Sequence, residues 1–409
     1  MKMNLFILTL LLAMGALGDT VSNIKFAQRW PWNGKVDIDY TLTKTTSKTT
    51  PVFSVEFYVR VNNGQPVKLQ AIEGDGATGI ILGDGQKRTT WDASKDLYLP
   101  VESDDVQIAV VATDVTDQAT YLVLDLATYK MRTSTTGPVV GVGARTKCLE
   151  LWLRRIENGT FVMGSSTVEP GRNALREDDV EIEHTVTLSS AYYIGVFELT
   201  EGQYDRIYAG GTSTSVLPQG NSCYNDWRGT SYGATWPVKN DHRVDSDSFF
   251  GKLRQKTGNG LIFDLPTEAQ WEAAARWKGT TGNGTNDYYG SCRWNNGTIF
   301  TNSTFQGLGN VAWYSENSDF EAHEVGLKAA STIGTYDMHG NVHESCLDWF
   351  TGDITGYVSD PEGPIDGTRR ILRGGGSRSI DSYCRMATRN GNPVDRVEVL
   401  DGCRVALVP

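Results

Sequence analysis

The feature that most constrains this 409-residue chain is a change of texture after its first third. Up to about residue 130 it alternates. Val36, Ile38, Tyr40 and Leu42 are interleaved with Asp37, Asp39, Thr41 and Thr43, and Phe53, Val55, Phe57, Val59 and Val61 repeat the period of two. Successive side chains of a strand point to opposite faces, so this pattern predicts strands with one buried face. Asn62-Asn63-Gly64 is a turn signal of the hairpin kind, and Val67 and Leu69 resume the alternation beyond it. Residues 106–111 and 121–126 supply further strands. Residues 19–130 are therefore expected to fold as an all-β sandwich of immunoglobulin-like type. Trp30-Pro31-Trp32 reads as a core plug, with a sugar-binding platform as the alternative.

Residues 131–147 have the small, Gly- and Pro-containing composition of a linker. From Cys148 onward, helix signals are few and short. The clearest is Leu265–Arg276, where Thr267 is a candidate N-cap and Gln270 sits three residues on, as a capping box requires. Thr200 and Gln203 repeat that spacing. Elsewhere the sequence is rich in Gly, Asn, Asp and Trp, implying extended loops held by cross-links, packing or metal. All six cysteines (Cys148, Cys223, Cys292, Cys346, Cys384 and Cys403) lie in this part. None forms a CxxC, which removes support for a zinc ribbon or a thioredoxin-like motif. Disulfides are the expected state, free thiols the alternative.

Two bulk properties bear on location and partners. Residues 1–18 have a secretory signal's anatomy: Lys2, an apolar run from Leu5 to Ala13, then Ala16-Leu17-Gly18 ahead of Asp19. That run is shorter than the roughly 20 residues a membrane span needs, and no later segment reaches that length. The expected location is secreted, periplasmic or cell-surface. Net charge is -11, with no Lys/Arg run to interrupt it, which argues against nucleic acid as a partner.

The carboxy-terminal part carries an ordered set of motifs. Phe161-Val162-Met163-Gly164 precedes His184-Thr185-Val186, Tyr193-Ile194 and Phe197-Glu198-Leu199-Thr200. After the Leu265–Arg276 segment come Asn310-Val311-Ala312-Trp313-Tyr314, then Tyr336 to Glu344 with Asp348-Trp349. Arg373-Gly374-Gly375-Gly376-Ser377 and Cys384-Arg385-Met386-Ala387-Thr388-Arg389 close the series. Over residues 148–409 the chain resembles the formylglycine-generating-enzyme (sulfatase-modifying factor) domain family. The resemblance implies an α+β relative of the C-type-lectin fold with little regular structure. It also implies one calcium ion, held by the carboxylates of Asp337 and Glu344 and the carbonyl oxygens of Gly340 and Val342. The chemistry agrees, because a hard cation takes six to eight oxygens from a bent, Gly-containing loop.

The catalytic part of the resemblance is broken. Formylglycine generators use two cysteines in the interval after Gly-Gly-Ser to hold copper, whereas here 378–383 contains none. Cu(I) prefers soft sulfur ligands, so Ser377 alone does not suit it and copper is not expected. His343 stands where the family usually has Trp, and Cys403 where it usually has Phe. A second branch of the family pairs non-haem iron with a His-rich domain, yet all five histidines here lie at 184 or beyond. Ser377, Asp381 and His343 are the groove candidates. Arg373, Arg385 and Arg389 either line an anion pocket or pair with buried carboxylates. His339 and His343 with Glu344 superficially suggest zinc, but Gly340-Asn341 between them is poor helix sequence. The expected partner is a protein, peptide or glycan; the alternative is an oxidoreductase acting on a protein or peptide.

Overall fold

The computed structural model describes residues 20–30, 33–96, 105–141, 145–167, 172, 181–231, 242–276, 307–352 and 356–408. The expected signal peptide, Pro31-Trp32 and Cys292 lie outside them. The described chain is mostly β, with several sheets and few helices. None of its described helices is long and apolar enough to cross a membrane.

Two amino-terminal sheets form where alternation predicts them. One has the order Val21–Gln28, Lys35–Leu42, Gly85–Asp92, Ile72–Gly74. The other joins Val52–Val61 to Val67–Lys68, Ile80–Leu82 and Val106–Asp114. Ile38, Tyr40, Phe53, Val55, Phe57 and Val59 are buried in the core these sheets share. The Tyr40 hydroxyl meets Thr89 Oγ1 at 3.1 Å, so its polar end is satisfied. Asn62 and Asn63 are both left-handed (φ +49° and +56°), the conformation a tight hairpin turn needs. Trp30, in contrast, is 93% exposed and plugs no core.

Strand pairing runs through the stretch expected to separate two domains. Tyr121–Asp125, read from sequence as a strand of the sandwich, pairs instead with Glu150–Ile156, from Glu150↔Asp125 to Arg154↔Tyr121. Met131–Ser134, expected to be linker, is the edge strand on its other side. Tyr192–Gly195, Ala406–Val408 and Ile262–Asp264 complete a six-stranded antiparallel sheet. One core cluster contains Val52, Ile80 and Leu82 from the amino-terminal strands together with Leu122, Leu151, Leu153, Phe249 and Leu407. Polar contacts cross the same seam. Arg155 donates to the carbonyls of Thr49 (2.6 Å) and Thr50 (3.0 Å), and Met131 N donates to Thr78 O (2.9 Å). At Gly258 (φ +78°) a Cβ would lie 2.4 Å from the Ala77 methyl, so only glycine admits this approach.

Both expected capping boxes are present. Thr200 Oγ1 accepts from Gln203 N while Gln203 Oε1 accepts from Thr200 N, opening Glu201–Tyr204. Thr267 and Gln270 do the same for Glu268–Arg276. The remaining carboxy-terminal framework is two small sheets, of which Asn390–Asn392, Arg370–Arg373, His343–Trp349 and Asp401–Cys403 form the one that carries the site.

Candidate functional site

The loop entering His343–Trp349 is wound tightly. Asp337 (φ +56°), Gly340 (+74°) and Asn341 (+62°) are all left-handed. At Gly340 an added Cβ would lie 2.0 Å from the Trp313 carbonyl oxygen. Gly340 N donates to Gly374 O and Asn341 N to Trp313 O, each at 2.8 Å. The curl puts two carboxylates into a sealed interior, since Asp337 is 2% exposed and Glu344 0%. Arg404 grips Glu344 from one side (Nη2 to Oε1 2.6 Å, Nε to Oε2 2.9 Å), and Trp271 Nε1 donates to Oε2 at 2.7 Å. Asp337 Oδ2 accepts from Gly326 N at 2.6 Å, but its Oδ1 is buried with no partner.

A third carboxylate, which sequence reasoning missed, backs this loop. Glu198 is fully buried and accepts from Asn341 Nδ2 (2.6 Å) and Val342 N (3.1 Å). Burial, and then the neighbouring charges of Asp337 and Glu344, push its carboxyl far above the ordinary range. Burial likewise pushes Asp337 up to about 6. Three acids here share one guanidinium, Arg404, and one acidic oxygen is orphaned. Such a cluster suits an added cation. Among the described residues no three His, Cys, Asp or Glu side chains converge on one point. A cation here would meet one free carboxylate oxygen, Asp337 Oδ1, because Arg404 and Trp271 hold both oxygens of Glu344.

Next to the loop opens a cleft of about 280 Å³, lined by His343, Arg378, Asn390, Asn392, Arg396, Glu398, Val399, Leu400 and Asp401. His343 Nε2 lies 3.4 Å from Ser379 Oγ, while Nδ1 has no partner. Burial lowers its imidazole to about 4, so it is neutral at physiological pH. Burial also raises Asp401 to about 6, partly opposed by Asn392, whose Nδ2 donates to its Oδ2 at 2.5 Å. Of the three groove candidates, His343 lines the cleft. Ser377 lies fully buried, its N donating to Asn341 O (2.8 Å) and its Oγ unpartnered. Asp381 is not among the lining residues; it opens the short turn Asp381–Cys384, bonded to Ser382 N. Asn390, Asn392, Glu398 and Asp401 are cleft residues that no motif announces.

The tail arginines are committed elsewhere. Arg389 makes a two-pronged bond to Glu268 (2.6 and 2.8 Å), and Arg385 one to Glu181 (2.8 and 2.8 Å). Arg373 pairs with Glu272 and, at 3.5 Å, with Glu268. Arg373 and Arg385 are buried and the Arg389 side chain is only 4% exposed, so the anion-pocket reading of Arg373, Arg385 and Arg389 gives way to the structural one. The disulfide expectation also needs correction: Cys223, Cys346, Cys384 and Cys403 are buried free thiols. Cys384 Sγ faces Ile380 O, and burial pushes its thiol up to about 12. His339 and His343 part company, because His339 Nδ1 bonds Cys384 O (2.7 Å) while His343 begins a strand.

A mostly β fold with a carboxy-terminal loop-dominated domain of this kind defines a class, and comparison supplies the family. The sulfatase-modifying factor enzyme 1-like domain matches residues 153–408, and the chain belongs to that family. It is 34% identical over 159 residues to the formylglycine-generating enzyme of Thermomonospora curvata, covering 36% of this chain and 49% of that protein. To its namesake in Streptomyces coelicolor it is 35% identical over 138 residues, covering 32% of this chain and 42% of that protein. The chain thus spans about half the length, or less, of these curated relatives. Among solved structures, the Treponema denticola variable protein 1 aligns with TM-score 0.48 and 24% identity, over 67% of this chain and all of that one. PvdO from Pseudomonas aeruginosa aligns with TM-score 0.46 and 19% identity, over 68% of this chain and all of that one.

Proposed function

We propose that this chain is an exported sulfatase-modifying-factor domain protein that binds a protein, peptide or glycan ligand in the cleft beside His343 and does not generate formylglycine. In this reading the amino-terminal sheets are an immunoglobulin-like sandwich. One observation carries that reading: among the described residues the cleft is lined by imidazole, amide, guanidinium, carboxylate and aliphatic groups, with no thiol. Formylglycine generation in this family relies on a copper-binding cysteine pair, and Cu(I) needs soft donors. Cys346, Cys384 and Cys403, the described cysteines nearest the cleft residues in sequence, are all buried, and burial pushes each thiol up. What supports binding is the open cleft itself, where Arg378, Asn390, Asn392, Arg396, Glu398 and Asp401 bring donors and acceptors of both charges to one place.

Calcium is part of the proposal. Asp337, Glu344 and the carbonyl oxygens of Gly340 and Val342 would hold it; the orphaned Asp337 Oδ1 fits, while Glu344 would first have to release Arg404 or Trp271. The ion would supply structural charge compensation.

The test pairs two experiments. A Cys-x-Pro-x-Arg peptide incubated with the protein, copper and oxygen should show no mass loss from aldehyde formation; product would establish the oxidoreductase reading instead. Peptide and glycan arrays in calcium should retain the protein, and Asp401→Asn should weaken that retention. Absence of retention on both arrays would remove the binding reading.

A further inference from the structure

We infer that the cleft selects a protein or peptide by one lysine side chain, whose ammonium group is held by Asp401 and Asn392. The inference rests on the binding reading above and names the chemistry of the ligand.

The cleft holds a charge that the protein leaves uncompensated. Asp401 is 5% exposed, yet it lines the open cleft. Its Oδ2 accepts from Asn392 Nδ2 at 2.5 Å, and Oδ1 has no hydrogen-bond partner among the described residues. The two arginines of the cleft are turned to other groups: Arg396 Nη2 pairs with Glu398 Oε1 at 2.5 Å, and Arg378 Nε donates to Phe320 O at 2.9 Å. Among the described residues no cation pairs with Asp401, and burial raises its carboxyl. A buried carboxylate without a counter-charge is costly to keep, and a cation brought by a ligand offsets that cost. The carboxylate is also fixed in advance. Asp401 pairs in parallel with His343, and His343 N donates to Leu400 O at 2.7 Å. Such preorganisation lowers the ordering cost of binding.

The neighbours of Asp401 choose the kind of cation. A guanidinium binds a carboxylate best with two parallel bonds, one to each oxygen. With Oδ2 engaged by Asn392, Asp401 offers a single oxygen. An ammonium has three separate donors and needs only single acceptors. Asp401 Oδ1 supplies one acceptor. Asn392 supplies a second, because its amide nitrogen is spent on the carboxylate and its Oδ1 remains. Val399 and Leu400 line the same cleft and offer an apolar wall to the methylene stem of a lysine. Arg378 and Arg396 oppose further positive charge, so a lone lysine fits and a basic run does not. Ordinary glycans carry hydroxyls and carboxylates but no ammonium, and the charge therefore favours a peptide.

The test presents the full chain with arrays of short blocked peptides that have randomised flanks and lysine, acetyl-lysine, arginine or alanine at the centre. Lysine should be retained most strongly. Acetyl-lysine keeps the stem and loses the charge, so retention should fall about 30-fold, the cost of removing one partner of a desolvated charge pair. Asp401→Asn should erase the preference, leaving lysine and acetyl-lysine peptides retained alike. Asn392→Ala frees the second carboxylate oxygen, so arginine should gain on lysine. If Asn392→Ala does not fold, the isosteric Asp401→Asn decides alone. Equal retention on lysine and alanine centres would overturn the inference and leave the binding reading standing. Retention on glycans alone would overturn it too, as would a lysine preference that survives Asp401→Asn. No retention of any peptide or glycan would remove the binding reading first, and this inference with it.

Discussion

The amino-terminal sheets and the domain that follows them are specified by different forces. In Lys35–Leu42, and from Phe53 to Val59, every second residue is buried and apolar, so the pattern alone sets face and register. Around the carboxy-terminal cleft, burial falls on charges: Arg373, Arg404, Glu268, Glu272, Glu344 and Asp264 are each at most 1% exposed. Each such charge tolerates burial only when its partners arrive in the right places. The first region is thus held by many interchangeable contacts worth about 1.5–3 kcal/mol per buried side chain. The second is held by a few specific pairs. Loops without regular backbone bonding can be fixed that way, and a cleft with unpaired groups can survive beside them.

The comparison would break if the two regions were independent, and deletion tests that most directly. Removing residues 20–130 strips Val52, Ile80 and Leu82 from the main core and takes Tyr121–Asp125 out of the six-stranded sheet. The 148–409 fragment is expected to lose cooperative unfolding altogether, read by near-UV circular dichroism and thermal melts. A sharp transition from that fragment would show that the shared core is dispensable.

Single charges sharpen the contrast. Arg373→Met leaves Glu272 with Arg276 alone and Glu268 with Arg389 alone, and breaking a buried pair from one side costs up to about 3–5 kcal/mol. Lys35→Met, which breaks the partly exposed Lys35–Glu73 pair of the amino-terminal sheets, should cost no more than about 1 kcal/mol. Denaturant melts of the two variants should differ accordingly; equal losses would mean that the buried network carries no special weight.

How much could be read from sequence follows the same division. Alternation located the strands around Ile38 and Val55, and the Thr–Gln spacing located both caps. Alternation tells which face a residue takes but not which strand lies beside it, so the pairing of Tyr121–Asp125 with Glu150–Ile156 was not legible. Cysteine number carries no distance, hence the four free thiols. The family motifs led to Asp337, Glu344, Ser377 and His343, and the structure gathers them round one loop. They gave no sign of Asn392 and Asp401, which meet because their strands belong to one sheet, where Asp401 pairs in parallel beside His343. Glu198 lay within a quoted motif, yet its place behind the loop is fixed by a bond to Asn341, 143 positions away.

The remaining effect expected is the one most specific to the cleft. Asp401 titrates at about 6 in the folded chain, raised chiefly by burial, against about 3.9 for an unfolded aspartate. A raised carboxyl binds its proton more tightly when folded, so its contribution is complete below pH 4 and is lost as pH rises through 6. Above pH 7 the folded protein keeps a desolvated charge that the unfolded chain would hold in water. Asp401→Asn keeps an acceptor for Asn392 and removes that charge. The variant should therefore gain stability over the parent between pH 4 and 7 and hold the gain above it, by roughly 2 kcal/mol after allowing for the open side of the cleft. Denaturant melts at pH 4 and pH 8 read this directly. A difference that does not grow with pH would mean that Asp401 is already neutralised in the cleft, and Arg396 or Arg378 would then have to be its counter-charge.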